Sequence, residues 1–133
     1  MFLQNKNVVV MGVANKKSIA WGCAKALKDQ GANVIYTYQN ERMKKQVVKL
    51  ADENDLLVEC DVASDASIQA AFETIKNEVG TIDGLVHAIA FAKKEELSGN
   101  VSDITRDGFL LAQDISSYSL LAAVSYTHLR AHE

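Results

Sequence analysis

The chain has 133 residues, 48% hydrophobic and 23% charged, a balance that excludes an intrinsically disordered chain and a fibrous repeat. Fourteen basic residues against seventeen acidic ones leave a net charge of −3, so there is no electrostatic ground for binding nucleic acid or an anionic membrane. The length fits one domain, no apolar run approaches the roughly 18–20 residues of a membrane span, and Met1 to Met11 holds no basic segment leading into a long apolar stretch, so a cytoplasmic protein is expected.

Along the chain, apolar β-branched runs alternate with segments of helical period. Val8 to Met11 is short and continuously apolar, the pattern of a strand buried on both faces of a parallel sheet. From Ser18 onward, Ile19, Ala20, Cys23, Ala24 and Leu27 recur at helical spacing, and Gly31 follows as a stop signal. Asn33 to Tyr38 reads as a second strand, and Met43, Val47, Leu50 and Ala51 mark one face of a charged second helix. Leu56 to Cys60 gives a third strand, while Ile68, Ala71, Phe72, Ile75 and Val79 form the apolar stripe of a third helix. Gly80-Thr81-Ile82-Asp83-Gly84 turns the chain into a fourth strand, Leu85 to Ala88, and a polar loop leads to a last helix beginning near Thr105.

This alternation predicts an α/β fold, a doubly wound parallel sheet with right-handed crossovers and helices on both faces. Cys23 and Cys60 lack the spacing of a metal or redox pair and fall in a helix and a strand, so two buried free thiols are expected. Ligands of open α/β sheets bind at the carboxyl ends of the strands, which directs attention to the residues after each strand.

After the first strand, Gly12-Val13-Ala14-Asn15-Lys16-Lys17-Ser18-Ile19-Ala20-Trp21-Gly22 is a loop entering a helix, where free backbone N–H groups and the helix dipole favour a pyrophosphate. Gly12 permits a tight turn, Ser18 can cap the helix and offer a hydroxyl to phosphate, and Gly22 can let the helix lie close on the strand. The loop is longer than G-x-G-x-x-G and lacks its middle glycine, so an ordinary helix cap explains it as well as a nucleotide does. Asp61, at the end of the third strand, reads either as an acceptor for an adenine amino group or as a turn or cap carboxylate. Arg42, Lys44 and Lys45 could reach a 2′-phosphate, but with Glu41 they also read as a solvated helix face. His87 is titratable and close to the expected ligand, and is read as a buried, hydrogen-bonded structural histidine. Lys93-Lys94-Glu95-Glu96 reads as a self-neutralising loop.

The spacing of Gly12, Ser18-Ile19-Ala20 and Gly22 resembles the divergent cofactor loop of enoyl-acyl-carrier-protein reductases in the short-chain dehydrogenase superfamily. Four further segments resemble that family in order: Thr37-Tyr38-Gln39-Asn40, Cys60-Asp61-Val62, His87-Ala88-Ile89-Ala90-Phe91-Ala92, and Gly108 through Ser119. The resemblance implies a Rossmann-type sheet, here of about four strands. It implies that residues 1–121 are the N-terminal part of a single NAD(P)-binding domain, and that residues 122–133 are a tail foreign to the family. It places Gly12, Ser18 and Ile19 at the pyrophosphate, Gln39 near the adenosine ribose, Asp61 and Val62 against adenine, Ile89 near the nicotinamide-side ribose, and Ala92 against the acyl substrate. Neutral Gln39-Asn40 resembles the members that use NADH, so NADH is expected ahead of NADPH.

The implied reaction passes hydride from the nicotinamide to the β-carbon of a trans-2-enoyl thioester carried on acyl carrier protein, in fatty-acid synthesis. A tyrosine stabilises the enolate and a lysine holds the cofactor ribose, at Tyr-x6-Tyr-x6-Lys spacing. No tyrosine after Lys94, the last lysine, has a lysine at that spacing, so these residues are expected beyond the present sequence and the chain alone is expected to be inactive. The family resemblance implies a homotetrameric parent. If strand four is the edge of an incomplete sheet, poor solubility is expected. His128 and His132 lack both a glutamate beside His128 and a third ligand, so no metal is expected. Two other readings compete. A ketoacyl reductase would show T-G-x-x-x-G-I-G and an N-N-A-G-like turn; a non-catalytic receiver-like module would show paired acidic residues after strand one and a lysine late in the sheet.

Overall fold

In the computed structural model, which describes residues 1–127, four parallel strands lie in the order β3-β2-β1-β4: β1 (Asn7–Met11), β2 (Asn33–Tyr38), β3 (Leu56–Glu59) and β4 (Gly84–His87). The connecting helices are α1 (Ile19–Asp29), α2 (Glu41–Val48) and α3 (Asp65–Val79). After β4 the chain passes through two short 3-10 turns, Lys94–Glu96 and Val101–Asp103, into α4 (Arg106–Gln113), a π-helical turn (Asp114–Tyr118) and α5 (Ser119–Thr127).

Side-chain alternation along β1 explains why its sequence is apolar throughout. Val9 and Met11 point to the layer formed by α3 and α5, where they meet Ile68, Phe72, Ile75 and Ala123; Val8 and Val10 point to the layer of α1 and α2, with Ala20, Ala24 and Val47. Burying Val9, Val10, Ile35 and Phe72 to 1% exposure or less contributes about 1.5–3 kcal/mol for each side chain.

Helix starts follow local chemistry. Asn40 Oδ1 accepts from the Met43 N–H at 3.0 Å, Ser64 Oγ from the Ser67 N–H at 3.2 Å, and Thr105 Oγ1 from the Gly108 N–H at 3.0 Å, each capping its helix. At its outer end, β1 is tied to the turn before β4. The Asn7 N–H donates to Asp83 Oδ2 at 2.8 Å, and Asn7 Nδ2 donates to the Thr81 carbonyl at 2.9 Å.

Several expectations change. Ile19, placed on the buried stripe of the first helix, is 80% exposed, because it is the first helical residue and points away from the sheet. A Cβ on Gly22 would touch nothing within 4 Å, so Gly22 is not needed for close packing. Cys60 is buried but Cys23 is only half-buried. Ser18 occupies the cap position of α1 without a capping hydrogen bond, since its hydroxyl donates instead to the Asn15 carbonyl at 2.7 Å. The last helical segment is broken by the π-helical turn, which apolar spacing gave no reason to expect. Helix α5 runs past Leu121 without a break, with Ala122 and Ala123 buried and Tyr126 stacked on Phe72 at a centroid distance of 6.4 Å. His128 and His132 lie outside the described residues.

Candidate functional site

Because all four strands run parallel, the residues that follow them meet along one edge of the sheet. They line a cleft of about 410 Å³: Gly12 to Ala14 after β1, Gln39 after β2, Cys60 to Val62 after β3, and Ala88 to Phe91 after β4. Thr37, Tyr38 and Met43 complete the β2 side, and Leu111 and Ile115 reach in from α4 and the π-helical turn.

Gly12 is the floor of this cleft. Its φ of +111° is a conformation that L side chains rarely adopt, and the close approach of the Ala88 backbone leaves no room for a Cβ. Beyond it, the loop closes on itself before α1 begins: Asn15 Oδ1 accepts from the Lys17 N–H at 2.8 Å, while the Ser18 hydroxyl donates to the Asn15 carbonyl. The first-turn N–H groups of α1 follow directly, with no acidic residue in that turn to compete for them.

On the β3 side, Asp61 forms a turn. Its Oδ1 accepts from the Ala63 N–H at 3.0 Å, and its own N–H donates to Ser67 Oγ at 2.8 Å. The Asp61 carboxylate is thereby held at the lip of the cleft. Burial, with the negative Asp61 beside it, pushes the neighbouring Cys60 thiol up to about 11, so Cys60 faces the cleft as a neutral group. On the β2 side, Gln39 is exposed on the rim; Lys44 is drawn over the Tyr38 ring, 5.7 Å from its centroid, while Arg42 and Lys45 are exposed.

On the β4 side, His87 is half-buried rather than buried, and its Nε2 lies 2.7 Å from the Ser119 hydroxyl. Burial lowers its pKa below the ordinary histidine value, partly opposed by a backbone hydrogen bond. Glu96, expected in a self-neutralising loop, accepts instead from the Thr105 hydroxyl at 2.6 Å and the Thr105 N–H, tying the loop to the start of α4.

Of the residues singled out from sequence, the structure gathers Gly12, Gln39, Asp61, Val62 and Ile89 around one cleft, whereas Ser18, Ile19 and Ala92 are not among its lining residues. Leu111 and Ile115 were not assigned a role from sequence. Their segment had been singled out by resemblance, but nothing in its spacing indicates that a π-helical turn brings them to the ends of β1 and β4.

A family profile described as Enoyl-(Acyl carrier protein) reductase matches residues 12–131, nearly the whole length. The chain belongs to this reductase family. It is 98% identical over 126 residues to an enoyl-acyl-carrier-protein reductase (NADH) of Enterococcus faecalis, covering 95% of this chain and 50% of that protein. A Bacillus subtilis enoyl-acyl-carrier-protein reductase (NADH) is 55% identical over 126 residues, covering 92% of this chain and 49% of its own. The Bacillus cereus enoyl-acyl carrier protein reductase, solved with NADP+ and indole naphthyridinone, superposes with a TM-score of 0.89 at 50% identity, covering 94% of this chain and 50% of that one. This reductase chain therefore spans about half the length of the relatives it matches. Its parallel α/β sheet is the expected Rossmann-type architecture, and the resemblance read from five segments is borne out at the level of the family.

Proposed function

We propose that this chain serves the NADH-dependent reduction of a trans-2-enoyl group carried on acyl carrier protein, and that it supplies the N-terminal part of the dinucleotide-binding domain of that reductase. The observation that carries the reading is the continuous cleft at the carboxyl ends of all four strands, with a glycine floor that a Cβ would obstruct. The cleft suits a dinucleotide: a tight glycine turn and a helix N-terminus for the pyrophosphate, flanked by one wall toward β3 and another beyond β4. When bound, the reduced nicotinamide supplies the hydride.

In this reading the N–H groups at the start of α1 and the loop from Gly12 to Ser18 and Ile19 hold the pyrophosphate. Gln39 takes the adenosine ribose, Asp61 and Val62 the adenine, and Ile89 the nicotinamide-side ribose. Ala92, just past the cleft wall, meets the acyl group. Neutral Gln39 on the rim supports NADH ahead of NADPH, because it offers no charge to a 2′-phosphate. The packed continuation of α5 supports a domain that includes at least residues 122–127 along with residues 1–121. The reading carries with it a cytoplasmic location and a homotetrameric assembly of the longer reductase; exposed Phe109, Leu110 and Leu121 on α4 and α5 support the latter.

Titration of the 133-residue chain with NADH and NADPH, followed by nucleotide fluorescence, tests the reading. Saturable binding with NADH the tighter ligand is expected. No saturation by either nucleotide at millimolar concentration overturns it, and tighter NADPH overturns the cofactor preference.

A further inference from the structure

Beyond the assigned cleft residues, the junction of α4 and α5 packs on the exit of β4. The π-helical turn at Asp114–Tyr118 separates two α-helical segments, and such turns recur at functional sites because they re-aim side chains. Two serines three positions apart, Ser116 and Ser119, use their hydroxyls on the exit of β4. Ser116 Oγ accepts from the Phe91 N–H at 2.9 Å and donates to the Phe91 carbonyl at 3.2 Å, so one hydroxyl engages both backbone groups of Phe91. Ser119 Oγ, fully buried, donates to the Ile115 carbonyl at 2.6 Å and so accepts from His87 Nε2 at 2.7 Å.

These contacts fall where the sheet ceases to hold the chain. The Ala88 N–H donates to the Met11 carbonyl at 3.0 Å, the last bond of the β1–β4 ladder, and Ile89 to Phe91 then leave the sheet as a wall of the cleft. A free segment with unbonded backbone would sample many conformations. Here it is gripped at both ends, His87 by Ser119 and Phe91 by Ser116, while the Ser119 bond to the Ile115 carbonyl fixes the opposite wall.

Resting on the reading of the cleft as a dinucleotide site, we propose that Ser116, backed by Ser119, is a positioning residue that sets the His87–Phe91 wall and thereby governs how well the nicotinamide half of the cofactor is held. With the pyrophosphate over the Gly12 turn and the adenosine toward β2 and β3, the remaining half lies between the β4 exit and Ile115, the two surfaces the serines hold. A serine that only stapled a helix to the sheet would act on both halves alike.

The test compares the affinity of the 133-residue chain for NADH and for 5′-AMP in wild type, Ser116→Ala and Ser116→Thr. Ser116→Ala is expected to weaken NADH roughly tenfold, the scale of one or two lost hydrogen bonds, to leave 5′-AMP unchanged, and to be rescued by Ser116→Thr. Unchanged NADH affinity, or equal loss for both ligands, overturns the proposal. If Ser116→Ala does not fold, exchange of the Phe91 amide in the wild-type chain decides. Slowing by NADH but not by 5′-AMP supports the proposal, and equal slowing or none overturns it. A folded wild-type chain that binds neither ligand overturns the cofactor reading itself, and this proposal with it.

Discussion

A Cβ placed on Gly12 would stand 2.1 Å from the carbonyl oxygen of Ala88 and 2.8 Å from its carbon, across the seam between β1 and β4. The obstacle is backbone on both sides, so no side-chain rotation relieves it, and the φ of +111° at Gly12 adds strain of its own. Gly12→Ala is expected to lower stability by at least about 2 kcal/mol and to weaken nucleotide binding, since relief must push Ala88 and the β4 wall outward. Urea denaturation and an NADH titration check this. A stable variant with wild-type affinity would show that the β1–β4 seam is softer than its geometry implies.

His87 makes stability depend on pH on the acid side. Burial holds its folded pKa below the ordinary histidine value, so in acid the unfolded chain takes up the proton first. The contribution is therefore fully present above the unfolded pKa of about 6.5 and is lost as pH falls through the folded value. Urea midpoints for wild type are expected to drop as pH is lowered below about 6.5, with a shallower drop in His87→Gln. Parallel profiles would contradict this.

The two thiols differ in accessibility, and burial acts on the ionisation of Cys60. Cys60 is 4% exposed and its thiol is pushed up to about 11, while Cys23 is half-buried on α1. Only the thiolate alkylates, so iodoacetamide at pH 8 is expected to modify Cys23 well before Cys60, at least about tenfold faster. Peptide mass spectrometry over a time course reads the order. Equal rates would mean that the β3 exit opens on the labelling timescale.

Glu96 and Gly108 share one space, for a Cβ on Gly108 would lie 2.2 Å from Glu96 Oε1. Gly108→Ala displaces the carboxylate from Thr105 while gaining about 1 kcal/mol of helix propensity in α4, so its net effect is expected to be small. Glu96→Ala alone is expected to cost about 1 kcal/mol, and almost nothing in the Gly108→Ala background. Additive costs in a denaturation cycle would show that Glu96 acts elsewhere.

Much of this architecture was legible in the amino acids themselves. Strand β2 falls on the expected Asn33 to Tyr38, and the Ile68-to-Val79 stripe lies on α3, because apolar period and β-branched runs are local signals that burial on both sheet faces reinforces. The glycine at the end of β1 and the residues after each strand likewise pointed to one edge, since parallel strands must bring their carboxyl ends together. Sequence could not decide which of several available partners a polar side chain takes, nor which contacts form between segments distant along the chain. Asp61 could serve a ligand or a turn, and only the fold supplied the Ala63 N–H to its Oδ1. Ser18 sat where a cap belongs, yet the Asn15 carbonyl took its hydroxyl. Ser116 and Ser119 meet Phe91 and His87 across 25 and 32 residues, through a π-helical turn that no apolar period announces. Local sequence determined which segments become helix or strand, whereas hydrogen bonds between remote segments, which depend on ångström-scale tertiary placement, decided how the walls of the cleft are held.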